Sequence, residues 1–308
     1  MAQSAPLLRL GTRGSPLALA QANLVRALLA RVTGAPETAF EIVVIKTTGD
    51  AIQDRPLSEV GGKGLFTKEI EEALLSSRID LAVHSAKDMP TISQPGLLLA
   101  ACLEREDPRD AFISLKAKSL ADLPHGAHLG TASLRRQALV KKARPDLVVS
   151  PLRGNVQTRL RKLESGEVDA TLLAIAGLNR LGLAQHATHI MPVETFVPAV
   201  AQGAIGIETR GDDNRTRQFV AQINHAPTFI AVACERAFLT ALDGSCKTPL
   251  AGHATLSGDT LHFRGLIARP DGSAAHDIAG NGHIRDAVRI GDEAGRELKK
   301  IGGPDFFD

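Results

Sequence analysis

Apolar residues in this chain fall into short runs that alternate with longer amphipathic stretches. Residues 7–10 predict a strand, and Thr12-Arg13-Gly14-Ser15-Pro16 a turn into a helix over 17–32. Ser15 suits the N-cap and Pro16 the first helical position, where a missing amide is no loss. Residues 41–47 predict a second strand. Residues 49–64 are polar and glycine-bearing and predict a mobile loop. An amphipathic helix follows over 65–75, with Phe66, Ile70, Ala73 and Leu74 on one side. Leu81-Ala82-Val83 reads as a buried strand end, and 97–103 as another strand. After a charged interruption at 104–110, a candidate crossing between domains, strand patterning restarts at 111–115.

The turn at 130–136 enters a helix reaching Ala143. A strand over 147–150, a helix over 156–163, a buried strand over 169–176 and a short helix with Asn179 and Arg180 complete this part. Residues 197–206 are Gly/Ala-rich and predict a crossing back. Helices follow over 212–224 and 228–242, then a hairpin at 251–267 turning at Gly258-Asp259, a strand at 277–281 and a last helix over 284–300. The alternation predicts an α/β fold with largely parallel sheets, and a small α+β domain after Pro227.

With 308 residues there is room for two or three domains. The formal net charge of +2 gives no global basic field, and ten Phe without Trp or Tyr offer no stacking platform for single-stranded nucleic acid. Three widely spaced cysteines suit a reducing compartment, and without a CxxC or CxxH pair no metal site is expected. No signal peptide and no membrane span is read in the sequence.

Three features could carry chemistry. In LAVHSAKDMP, His84, Ser85, Lys87 and Asp88 crowd the turn after a strand end, where ligands collect in open α/β sheets. Asp88 could move a proton or hold a developing positive charge; a surface lysine beside a capping aspartate is the plain alternative. Secondly, basic residues stand at helix entrances, where the helix dipole disfavours cations: Arg13, Lys63, Arg135 and Arg136 after Thr131 and Ser133, and Arg153 with Arg159. An anion at each entrance would explain them. Between Gly130 and Lys162 the acid is Asp146 alone, so this segment reads as facing a polyanion or as a solvated basic face. Thirdly, Cys246 sits in the turn sequence DGSCKTP, where a nucleophilic or an idle thiol would fit; Cys102 and Cys234 lie in apolar surroundings and read as core.

TRGSPLALAQ, GGKGLFTKE, DLAVHSAKDMP, EREDPRDAF, GTASLRRQ, RPDL, LRGNVQTRL, AGLNRLGL, AQGAIGIE, ERAFL and GSC-x-x-P occur in this order. In them the chain resembles the porphobilinogen deaminase (hydroxymethylbilane synthase) family, from about residue 8 to beyond residue 271. The resemblance implies two lobes like periplasmic binding proteins, with mixed, mainly parallel sheets, plus a small C-terminal domain. The implied bounds are 1–103 with 204–221, then 109–197, then 226–308. It implies a transferase that joins four porphobilinogen units head to tail with loss of ammonia and gives linear hydroxymethylbilane for haem, chlorophyll or corrin synthesis. A dipyrromethane primer would be attached through a thioether to Cys246. Asp88 would be catalytic, stabilising cationic azafulvene and pyrrolenine stages. Lys87, Thr131, Ser133, Arg135 and Arg136 would hold the cofactor; Arg13, Ser15, Lys63, Arg153, Arg159, Arg180 and Gln202 would hold substrate carboxylates or support the site. The family expectation is a cytoplasmic monomer that passes its product to uroporphyrinogen-III synthase and uses neither nucleic acid nor membrane. Ala132, Ser245, Lys247-Thr248 and Glu59 depart from common family choices.

Two other classes fit parts of the pattern. A two-lobed binding protein for a small anion would use the basic helix entrances but not Cys246 on an added domain. A nucleic-acid binder would use the basic segment, but its arginines are scattered over turns.

Overall fold

Ser15 opens the first helix as its place in the sequence predicts: its Oγ accepts from the Ala18 amide at 3.3 Å, and Pro16 follows. The computed structural model describes residues 6–51, 67–243 and 249–306. The chain divides into two compact units, one running to Arg105 and resuming over Ala204–Phe229, the other formed by Glu106–Gly203 and Ile230–Asp308.

The first unit begins with β1 (Leu8–Thr12), α1 (Pro16–Thr33), β2 (Phe40–Val44), α2 (Lys68–Leu75), β3 (Leu81–Ser85) and β4 (Leu97–Cys102). The second contains β5 (Asp110–Ser114), β6 (His128–Gly130), α3 (Leu134–Ala143), β7 (Val148–Ser150), α4 (Val156–Glu164), β8 (Ala170–Ala174), α5 (Ile175–Arg180) and β9 (His189–Ile190). The chain then returns to the first unit with β10 (Ile205–Arg210) and α6 (Asn214–Ala221), before α7 (Ala226–Ala241). The tail adds β11 (Leu250–Ser257), β12 (Thr260–Ala268), β13 (Ala275–His283) and α8 (Ala287–Gly302).

The two five-stranded sheets share one plan, β2-β1-β3-β10-β4 and β7-β6-β8-β5-β9. In the first, β1 pairs in parallel with β2 and β3, while β10 runs antiparallel to β3 and β4. In the second, β6 pairs in parallel with β7 and β8, while β5 runs antiparallel to β8 and β9. Each sheet thus has one reversed strand, and in each it is the strand on which the chain arrives from the other unit. A strand entered that way is not held by a right-handed βαβ crossover, which is what keeps the others parallel. The α/β class and the mixed, mainly parallel sheets agree with the sequence reading. The second strand stops at Val44, short of residue 47, and β6 and β9 are too short to leave a periodic signal.

Leu8, Leu10, Val25, Leu29, Phe40, Leu81 and Ile207 form the main core of the first unit. In the second, Phe112, Leu129, Leu147 and Leu172 share a core with Ala251, Leu266 and Ala268 of the antiparallel tail sheet. Helix α8 lies backbone-close on α7: a Cβ at Gly291 would stand 2.0 Å from the Cys234 carbonyl oxygen, and one at Gly295 2.7 Å from that of Phe238. Larger residues at either position would push the helices apart.

Candidate active site

In the first unit β3 runs straight into a single 3₁₀ turn, Ala86–Asp88, whose Lys87 and Asp88 are exposed. The turn rests on β10: the Ala86 amide donates to the Ala204 carbonyl at 3.0 Å. Gly206 makes this close seat possible, because a Cβ there would stand 2.9 Å from Met89 Sδ and 3.0 Å from Leu99 Cδ1. Asp88, Arg13 and Ser15 line one cavity of about 60 Å³ together with Gln21, Thr67 and His84. The Gln21 amide donates to Ser85 Oγ at 2.9 Å and fixes the end of β3. A larger concavity of about 270 Å³ in the second unit is lined by none of the residues singled out in the sequence.

Behind the cavity wall lies a buried acidic group that the sequence reading missed. Glu208, on β10, has no exposed surface, and His84 Nε2 stands 3.3 Å from its Oε2. Glu71, on α2, is buried as well. Burial pushes the Glu71 carboxyl up and the Glu208 charge adds to it, against the Thr67 hydroxyl and the His84 ring.

The second unit holds the opposite arrangement. Asp110, the first residue of β5, is fully buried. Its Oδ1 accepts from Arg136 Nε at 3.0 Å, Arg136 Nη2 at 2.7 Å and Gln202 Nε2 at 3.0 Å. Its Oδ2 is ion-paired with Arg135 Nη2 at 2.7 Å. Arg135 Nη1 donates to the Val197 carbonyl and Arg136 Nη1 to that of Leu172, both at 2.8 Å. Burial alone would push the Asp110 carboxyl up; the charges of Arg135 and Arg136, with the Gln202 hydrogen bond, outweigh it and hold the group well below the usual carboxylate range. Burial pulls the Arg135 guanidinium down from its ordinary value.

Arg135 and Arg136 stand in the first turn of α3, where the sequence reading places them beside an anion. Both are buried, and the anion that answers them is Asp110. It lies well before them in sequence, outside the segment whose charges were counted. Within that segment Arg144 pairs with Asp146 at 2.7 Å, and Lys141 Nζ donates to the carbonyls of Pro145 and Leu147.

The other helix entrances keep their local design. The buried Thr131 accepts from the Ser133 amide at 3.2 Å, and Ser133 caps α3 by accepting from the Arg136 amide at 3.4 Å. Asn155 caps α4, accepting from the Thr158 amide at 2.8 Å, beside the half-buried Arg153. Arg159 Nε donates to the Gly154 carbonyl at 2.9 Å, across a glycine whose φ of 117° favours that residue type. Arg180 Nη2 donates to the Gly203 carbonyl at 2.6 Å, and burial lowers its guanidinium. Gln202 is buried and also donates to the Pro108 carbonyl at 2.8 Å, so it ties the two crossing segments of this unit together. Glu235, another missed residue, accepts from the Ala201 amide at 2.5 Å and the Ala254 amide at 2.7 Å; Ala201 has a left-handed φ of 59°. Lys63 and Cys246 lie outside the described residues. Cys102 and Cys234 are buried thiols, and burial with the neighbouring Glu235 pushes Cys234 up to about 12.

Comparison with known proteins agrees with the motif order. Residues 8–218 match the family model described as porphobilinogen deaminase, dipyromethane cofactor binding domain, and residues 229–300 match the C-terminal domain of the same family. The chain belongs to the porphobilinogen deaminase family. The porphobilinogen deaminase of Nitrobacter hamburgensis is 58% identical over 301 residues, covering 98% of this chain and 95% of its own. That of Nitrobacter winogradskyi is 57% identical with the same coverage. Among solved structures, the methionine binding protein MetQ aligns with 74% of this chain and 94% of its own at 15% identity and a TM-score of 0.46. A nutrient binding protein from Burkholderia cenocepacia bound to methionine aligns with 70% and 91%, at 17% identity and a TM-score of 0.43. Glu71 and Glu208 had one legible signal, a charged residue within an apolar helix face or strand, whereas Asp110 closes a charged run and had none.

Proposed function

We propose that this chain is the transferase that joins porphobilinogen units head to tail, releases ammonia at each joining, and yields linear hydroxymethylbilane for tetrapyrrole synthesis. The observation that carries the reading is the pair of family matches, which together span residues 8–218 and 229–300. The binding and catalytic candidates fall inside them.

The residues present suit an acidic pyrrole cofactor. Asp110 balances one of two buried guanidinium groups, so the pair keeps a positive surplus, and Arg135 Nε is buried without a hydrogen-bond partner. Such a surplus suits carboxylates. Arg135, Arg136, Lys87, Thr131 and Ser133 would hold the acetate and propionate groups of a dipyrromethane, with Cys246 as its thioether anchor. When bound, that group supplies the pyrrole end on which growth of the chain begins. Asp88, exposed on its turn, would face pyrrole N–H groups and offset positive charge as ammonia leaves. Arg13 and Ser15, on the same cavity as Asp88, would hold carboxylates of the incoming porphobilinogen. Lys63, Arg153, Arg159, Arg180 and Gln202 are assigned to the growing chain or to supporting the site. Gln202 and Arg180 would do so through the crossing segments they bind. The proposal includes functional domains at 1–103 with 204–221, 109–197 and 226–308, a cytoplasmic monomer, and delivery of product to uroporphyrinogen-III synthase on the way to haem.

The test is the intact mass of the denatured protein beside that of Cys246→Ala. An adduct of two linked pyrroles, lost in the variant, is the expected result. A protein without adduct that gains none on incubation with porphobilinogen overturns the reading.

A further inference from the structure

Buried charged groups are hydrogen-bonded as a rule, and each exception asks for a reason. In the first unit three exceptions meet. Both carboxylate oxygens of the fully buried Glu208 lack a hydrogen-bond partner, as do Glu71 Oε1 and His84 Nε2, although His84 is only 3.3 Å from Glu208. Charge accounts for the grouping. One imidazole and two buried carboxyl groups, a base beside two acids, are complementary partners. Burial, with the Glu208 charge added, raises the Glu71 carboxyl above its ordinary value.

His84 also lines the cavity shared with Asp88, Arg13 and Ser15. A water needs about 10–15 Å³ and two or more polar partners. The cavity, at about 60 Å³ and walled by Ser15, Gln21, Thr67, His84 and Asp88, offers both. Among the described residues, the charged or titratable groups facing His84 are thus Glu208 from β10, Glu71 from α2, and Asp88 and Arg13 across the cavity.

The reaction needs a proton moved between two stages. Joining two porphobilinogen units breaks the C–N bond of one aminomethyl group and forms a C–C bond to the free α-carbon of the next pyrrole. The proton displaced from that carbon ends on the departing ammonia, which leaves as ammonium. We propose that His84, backed by Glu208 and Glu71, is a positioning residue that stores this proton and returns it to Asp88 through the cavity. The inference rests on the reading of Asp88 as the catalytic carboxylate. It accounts for a buried carboxylate that has no hydrogen bonds and is ion-paired with His84.

His84→Gln, Glu208→Gln and the milder Glu71→Gln, each carrying the covalent adduct, are compared with the unsubstituted enzyme and Asp88→Asn. Ammonia release from porphobilinogen is followed across pH, and urea midpoints over the same range give a readout independent of turnover. We expect kcat to fall about tenfold or more in His84→Gln and Glu208→Gln, with KM changed less than about twofold. We also expect one limb of the pH profile to move in all three variants, and the urea midpoint of Glu71→Gln to vary less with pH than that of the unsubstituted enzyme. A uniform drop at every pH, with the profile shape kept, overturns the inference and leaves these residues a packing role. If His84→Gln and Glu208→Gln do not fold, Glu71→Gln decides: an unmoved profile overturns the proposal. Normal turnover in Asp88→Asn overturns the catalytic assignment and this inference with it, whereas normal dependence on Asp88 with unmoved profiles overturns this inference alone.

Discussion

The two five-stranded sheets follow the same strand order, yet their buried charges have opposite sign. In the first unit two carboxylates, Glu71 and Glu208, surround one histidine, with several of their atoms unbonded. In the second, two guanidinium groups surround Asp110, with hydrogen bonds to backbone carbonyls and Gln202 added, and Arg135 Nε and Asp110 Oδ2 left without one. The acidic cluster backs the turn that carries an exposed carboxylate, and the basic one sits at the start of a capped helix. One chain topology thus supplies a unit suited to offsetting positive charge and another suited to holding carboxylates. Side chains on the two reversed strands, Glu208 on β10 and Asp110 on β5, set the difference.

The comparison breaks most directly at Asp88. Its exposure on a one-turn element means that Asp88→Asn should fold normally while turnover falls on the order of 10²–10⁴-fold, the usual range for a positioned acid–base group. Product formation and thermal melting, measured on the same preparation, check both halves. Retained turnover would remove the functional half of the contrast between the units.

Asp110→Asn should give the largest stability effect. It leaves two buried guanidinium groups without their countercharge, and breaking a buried pair in this way costs about 3–5 kcal/mol. The pH dependence follows from the depressed Asp110 carboxyl. Its contribution is fully present above the unfolded carboxyl value of about 3.9 and is lost as pH falls through the lower folded value. Urea denaturation should therefore separate Asp110→Asn from the unsubstituted protein widely at neutral pH and less with each step into acid. An equal separation at every pH would mean that Asp110 acts through shape and not through charge.

These predictions also mark what the sequence made legible. Local signals carried far: the Ser15 and Ser133 caps, the turn before Pro90, the hairpin at Gly258 and the alternation of strands and helices depend on neighbours within a few residues. The reversed strands and the charge pairing did not, because both depend on partners distant in the chain. Arg136 and Asp110 are 26 positions apart, and His84 meets Glu208 only because β10 returns beside β3. The charges of residues 130–162 alone therefore omit Asp110, which pairs with Arg135 and Arg136 from outside that segment. The motif order did identify the family, since ordered motifs need no knowledge of contacts.

The smallest expected effect is the most discriminating between the two clusters. Glu71 holds its proton more tightly in the folded chain than an exposed glutamate does, through burial first and the Glu208 charge second. A group whose folded value is raised binds more protons when folded, so its contribution is fully present below the unfolded value of about 4.3 and is lost as pH rises through the folded value. This is the reverse of Asp110. Glu71→Gln keeps the shape and removes the titration, so it should leave stability unchanged in acid and raise it at neutral to mildly alkaline pH, by less than about 1 kcal/mol. Urea midpoints measured on both sides of that range would show it. A variant less stable than the unsubstituted protein at high pH would mean that the Glu71 charge is wanted there as a partner for His84. The first unit would then hold its charges as paired ions, as the second does, and the contrast between the clusters would reduce to the number of their hydrogen bonds.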